Sequence, residues 1–278
     1  MDKEKVIQML NQDLEGEHAA IIQYLLHAYA MGEGEMACEI EAIAREEMRH
    51  FDWLAETIVS LGGTPTIKRG DMRTGSKTVT DWMKDDVQQE QDGITMYEKH
   101  IKAIDDPKVK RLLQRIISDE KSHRDDFKHF VDKAQREGLT DLRGSQEDNV
   151  TKVIDWGIEH EYTVILQYLL QSYMTPKEEV REELQDQAIN EMQHLGWLAE
   201  ELVGGGGTPK IEHTAVDKSN KTADMLKVDI DIENKVAAEY DRAAREIEDA
   251  KLKKLFIRLR DHEVYHAEVF SDLLKEEG

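Results

Sequence analysis

The chain has 278 residues, a formal charge of −22 and a single cysteine, Cys38. The length allows one large domain or two ordinary ones. The negative surface repels nucleic acid and anionic lipid and attracts cations. One cysteine excludes an internal disulfide framework and any four-cysteine iron site. The N-terminus is charged and lacks an apolar core, so no signal peptide is visible. No stretch approaches a membrane span, so a cytoplasmic location is expected, without nucleic-acid or membrane partners.

Apolar residues from Val6 through Leu10, Leu14, Ile21 and Leu25 recur at helical spacing and predict a first helix to about Met31-Gly32. A second helix is expected from about residue 35 to Leu61, where Gly62-Gly63-Thr64-Pro65 stops it. The polar stretch from Thr66 to about Thr78 has little periodicity. A third helix starts near Thr80-Asp81 and ends near Ile104, and a fourth runs from Pro107 to about Glu137-Gly138. The same order then repeats, with helices expected at 147–174, 177–203, 222–248 and 250–275.

The repetition is literal. Gln23-Tyr24-Leu25-Leu26 returns as Gln167-Tyr168-Leu169-Leu170, and Trp53-Leu54-Ala55-Glu56 returns as Trp197-Leu198-Ala199-Glu200, both at an offset of 144. Beyond Pro209 the offset is 143, as Tyr97 and Tyr240 show, so the second copy has one residue fewer in its middle loop. A period this long marks a duplicated domain. The expected domains are 1–142 and 143–278. Tight joints pair the first helix with the second and the third with the fourth. The long middle connection suits a crossover along a four-helix bundle. The fold class expected is all-α, two tandem bundles, each with that crossover.

Among eleven histidines only two pairs superpose under the repeat, His50 with His194 and His123 with His266. Each ends a Glu-x-x-His motif: Glu47 with His50, Glu120 with His123, Glu191 with His194, Glu263 with His266. Three-residue spacing puts both side chains on one helix face. Core packing does not require a repeated imidazole, whereas a metal site does. Glu15-x-x-His18 has the same spacing without a repeated partner and reads as chance. The remaining helices offer Glu17 and Glu161, then Glu90 and Glu233, each in an otherwise apolar face. Four glutamates and two histidines per copy make the donor set of a dinuclear carboxylate bundle. Glu47 and Glu120 are the natural bridges, with Glu17 and Glu90 terminal. These donors suit iron or manganese, and zinc would also fit.

On Glu17…Gln23-Tyr24-Leu25-Leu26-His27-Ala28, Glu47-Met48-Arg49-His50, Glu90-Gln91-Asp92-Gly93 and Asp119-Glu120-x-x-His123, the chain resembles the ferritin-like di-iron superfamily, bacterioferritin most closely. The resemblance covers each copy. It implies two dinuclear iron centres and a ferroxidase that oxidises Fe(II) with O2 or peroxide. It implies a catalytic role for Tyr24 and Tyr168 beside the metals, and haem on Met48 and Met192. A homo-oligomer is also implied, as is an internal pseudo-dimer of the two bundles through the first two helices of each copy. A rubrerythrin-like peroxidase or a dimanganese catalase would use a similar site, and a non-enzymatic metal-binding bundle is the reading from another class. The chain departs from bacterioferritin in carrying two bundles and lacking the short fifth helix. Copy two also has His262 where copy one has Asp119, and Asn190 where copy one has Glu46.

Overall fold

A computed structural model describes residues 2–146 and 149–276. It contains two units, Met1–Arg143 and Gly144–Gly278, each a four-helix bundle. In the first unit the helices are α1 (Lys3–Met31), α2 (Glu35–Ser60), α3 (Val79–Ala103) and α4 (Pro107–Glu137). In the second they are α5 (Asn149–Met174), α6 (Glu178–Gly204), α7 (Thr222–Glu246) and α8 (Ala250–Glu276). The architecture is two tandem four-helix bundles with a long crossover in each. No helix among the described residues is long and apolar enough to cross a membrane.

Local chemistry sets the helix ends. Gly32, at φ 68°, closes α1 in a conformation that favours glycine. Asp106 caps α4, its carboxylate accepting from the amides of Lys108 and Val109, with Pro107 at the first helical position. Asp249 caps α8 in the same way, accepting from Lys251 and Leu252. The start of α3 differs from the sequence expectation of Thr80-Asp81. Thr78 is the cap, because its hydroxyl accepts from the Asp81 amide and donates to the Asp81 carboxylate.

The crossover of the first unit runs along α1. Asn11 brackets Thr64 and Thr66, the Gly70 amide donates to the Glu15 carbonyl, and the Arg73 amide donates to Gln23 Oε1. A Cβ at Gly70 would lie 2.8 Å from that carbonyl, so the approach requires glycine. In the second unit Thr214 donates to Thr163 and Asp217 to Gln167. Arg73 and Asp217 still differ by 144, whereas Thr78 and Lys221 differ by 143. The one-residue deletion therefore lies between those two points, just before the third helix of the copy.

Each unit buries its own apolar core. In the first, Tyr24, Ile40, Trp82, Met83 and Phe127 are fully enclosed, and in the second, Tyr168, Leu184, Leu226 and Phe270 are. Burial of this kind supplies the main stabilisation of a bundle. Midway along each bundle the apolar layers give way to a layer of buried carboxylates and imidazoles.

Two candidate metal centres

The twelve glutamates and histidines named from the sequence are each 4% exposed or less. The structure brings them into four groups, two per bundle. Glu17, Glu47, His50 and Glu120 form one group, and Glu47, Glu90, Glu120 and His123 form the next. Glu161, Glu191, His194 and Glu263 form the third, and Glu191, Glu233, Glu263 and His266 the fourth. Within a group the donor atoms lie within 4.8 Å of one another. Glu47 and Glu120 belong to both groups of the first bundle, as Glu191 and Glu263 do in the second. Sharing of this kind is what two adjacent cations would need from bridging carboxylates.

Each helix contributes through its own periodicity. On α2 and α4 the Glu-x-x-His spacing aims a carboxylate and an imidazole at the bundle axis. His50 Nδ1 is 2.8 Å from Glu47 and 3.0 Å from Glu120, while His123 Nδ1 is 2.8 Å from Glu47. In the second bundle His194 Nδ1 is 2.6 Å from Glu191, and His266 Nδ1 is 2.7 Å from Glu191. The Nδ1 atoms thus face the carboxylates, and the Nε2 atoms point outward.

Among themselves, these side chains are electrostatically crowded. Burial and the neighbouring Glu90 and Glu17 carboxylates push Glu47 up to about 7. Burial pushes Glu90 and Glu120 above the usual carboxylate range, helped by the charges beside them. Burial opposes charge on His50, yet Glu120, Glu17 and Glu47 outweigh it and hold the imidazole well above its usual range. His123 is likewise held at about 10, chiefly by Glu47, and His266 at about 9, chiefly by Glu191.

Several of these buried atoms, close as their neighbours lie, make no well-aligned hydrogen bond among the described residues. They include Oε2 of Glu17 and Glu90 and Oε1 of Glu120 in the first bundle. In the second they include both oxygens of Glu191 and the Nδ1 atoms of His194 and His266. Orphaned donors and acceptors of this density are costly unless something binds them. A pair of divalent cations fits. It would neutralise the four carboxylates and use the unpaired lone pairs, and the oxygen-plus-imidazole donor set suits iron or manganese.

The tyrosines lie against the terminal glutamates. The Tyr24 hydroxyl donates to Glu90 Oε1 and the Tyr168 hydroxyl to Glu233 Oε1. Sequence reasoning missed a second pair: Tyr97 donates to Glu17 and Tyr240 to Glu161. Their only signal was that they superpose under the repeat. The preserved glutamines beside Tyr24 and Tyr168 also gain a role. Gln23 and Gln167 each receive a crossover amide and donate to a buried aspartate, Asp86 or Asp229, at 2.7 Å. Met48 and Met192 are half-buried, one residue past the shared glutamates, and a single helical step turns them away from the cluster. His18, one of the histidines without a repeated partner, lies 3.2 Å from the Lys68 carbonyl of the crossover.

A family model described as ferritin, ferritin-like domain, matches the chain twice, over residues 7–137 and 155–277. A bacterioferritin of Desulfovibrio desulfuricans is 38% identical over 128 residues, covering 44% of this chain and 71% of the relative. A bacterioferritin of Streptomyces coelicolor is 30% identical over 141 residues, covering 48% of this chain and 84% of the relative. Among solved structures, the D. desulfuricans bacterioferritin aligns at 34% identity, covering 48% of this chain and 82% of its own, with a TM-score of 0.46.

Proposed function

The chain belongs to the ferritin-like family, matched over both of its bundles, and from that premise we propose that it handles iron as a ferroxidase with a dinuclear centre in each bundle. The observation that supports this most directly is the pair of overlapping donor groups in each bundle, joined by two shared glutamates. Glu17, Glu47, His50, Glu90, Glu120 and His123 would hold iron in the first bundle. Glu161, Glu191, His194, Glu233, Glu263 and His266 would hold it in the second. Bound iron supplies the one-electron change from Fe(II) to Fe(III), and O2 or H2O2 accepts the electrons.

The protein's own part is to gather the substrate ions and keep them close. The shared carboxylates offset the repulsion between two cations, and their burial strengthens the attraction to each. Tyr24 and Tyr97 hold the terminal glutamates of the first centre by one oxygen, which leaves the other free to face a cation. Tyr168 and Tyr240 do the same for the second. We read these tyrosines as positioning residues. The sequence resemblance to bacterioferritin also brings haem into the proposal, with the thioethers of Met48 and Met192 as donors. A Soret band in protein expressed with haem, lost in Met48→Ala or Met192→Ala, would support that part. Cytoplasmic residence and assembly of several copies belong to the same proposal.

The test is aerobic addition of Fe(II) to metal-free protein. Iron(III) absorbance should rise much faster than in buffer, with O2 consumed. Uptake of Fe(II) without that absorbance would leave a passive binder. Slow reaction with O2 but turnover of H2O2 with an added reductant would make it a peroxidase.

A further inference from the structure

The inner donors of the two centres are alike, but their outer partners are not. In the first bundle His50 Nε2 lies 3.3 Å from Asp119 Oδ2, and His123 Nε2 lies 3.0 Å from Glu46 Oε2. Both imidazoles therefore back onto a carboxylate. In the second bundle His194 Nε2 lies 2.8 Å from Nδ1 of His262, so one ring hydrogen is shared between two imidazoles. Asn190, at the position of Glu46, donates its amide to Gln187 at 3.2 Å.

A carboxylate accepting the Nε2 hydrogen raises the electron density that Nδ1 offers a cation, and its charge adds to the field at the centre. A neutral imidazole or an amide does neither to the same degree. The second copy also lacks nearby cations of the first, since Ile189 replaces Arg45, Gln193 replaces Arg49 and Val264 replaces Lys121. Those cations are exposed, and Arg45 pairs loosely with Glu41 at 3.7 Å, so water screens them. The carboxylates that vanish are the ones in hydrogen-bond contact with the histidines.

We propose that the two centres bind divalent cations with unequal strength, the first tightly and the second weakly, and that Glu46 and Asp119 against Asn190 and His262 set the difference. The inference rests on reading both clusters as dinuclear centres. It gives the chain a division of labour: one centre fills at scarce metal, the other only when metal is abundant.

Titration of the metal-free full chain with Co(II), followed by calorimetry and by visible absorbance, tests it. Four ions should bind in two classes of two, separated by about 10- to 100-fold in Kd. Glu47→Ala with Glu120→Ala should delete the tight class. Asn190→Glu with His262→Asp should draw the weak class toward the tight one, and Glu46→Asn with Asp119→His should do the reverse. One class of four ions in the native chain, or a tight class that survives Glu47→Ala with Glu120→Ala, would overturn the inference while leaving both centres in place. A total below four would instead overturn the reading beneath it. The native isotherm decides even if an exchanged variant fails to fold.

Discussion

Asp86 and Asp229 occupy the same position in the two bundles and keep different company. Asp86 accepts from Gln23 and pairs with His27 Nδ1 at 2.9 Å. Asp229 accepts from Gln167, but Gln171 stands where the first bundle has His27. Burial pushes Asp229 up from 3.8 to about 7. Between those values the folded chain binds a proton that the unfolded chain has released. Its contribution to stability therefore falls as pH rises through that window. Asp229→Asn should raise the melting temperature of the metal-free protein at pH 8, and the gain should vanish near pH 4. Asp86→Asn should lower it at pH 8, because it puts an amide N–H where a carboxylate oxygen now serves Gln23 or His27 Nδ1. Calorimetry at the two pH values checks both signs. A second test at this scale concerns Tyr97. Tyr97→Phe keeps the ring and frees Glu17, so it should weaken metal binding at the first centre several-fold without lowering helix content by circular dichroism. An unchanged isotherm would leave Tyr97 as packing alone.

The third helix of each copy makes the same start with different caps. Thr78 caps α3 through its reciprocal bonds with Asp81, whereas Lys221 begins α7 with no side-chain cap. Asp224 already stands where Asp81 does. Lys221→Thr should therefore recreate the capping pair and stabilise the second bundle by about 1 kcal/mol, and Thr78→Ala should cost the first about as much. Denaturant unfolding of each variant measures it, and no change in either would mean that these helix starts are held by packing. The example also marks what was legible in advance. Periodicity and glycine or proline stops placed all eight helices, but two threonines two residues apart made the cap of α3 ambiguous. The candidate ligands were legible because duplication repeated them, which a lone Glu-x-x-His could not have achieved. Tyr97 and Tyr240 were repeated too, yet a tyrosine in an apolar helix face reads as core, and its hydroxyl's partner is 80 residues away in the first bundle. The buried pairs His27 with Asp86 and His100 with Asp13 were hidden for the same reason, being joined only by folding and absent from the second copy.

At the scale of the molecule, duplication lets one chain carry two centres that can diverge. Each bundle has its own core and its own complete donor set. No residue of one donor set comes from the other bundle. A lesion at one centre should then stay local. Glu47→Ala with Glu120→Ala removes both shared carboxylates of the first bundle. It also relieves the charge crowding around Glu17 and Glu90, while Glu17 and Asp119 still face His50 and Glu46 still faces His123, so the bundle should stay folded. The expected outcome is a metal content at saturation that falls from four ions to two. Fe(II) oxidation should continue at the second centre, but only at higher Fe(II), because Nε2 of His194 backs onto His262 and Asn190 stands where the first centre has Glu46. Metal analysis paired with oxygen consumption across an Fe(II) series measures both quantities in one preparation. Loss of all oxidation with two ions still bound would show that the second centre holds metal without turning it over. Loss of all four ions would show that the bundles depend on each other, and the independence argued from their separate cores would fail.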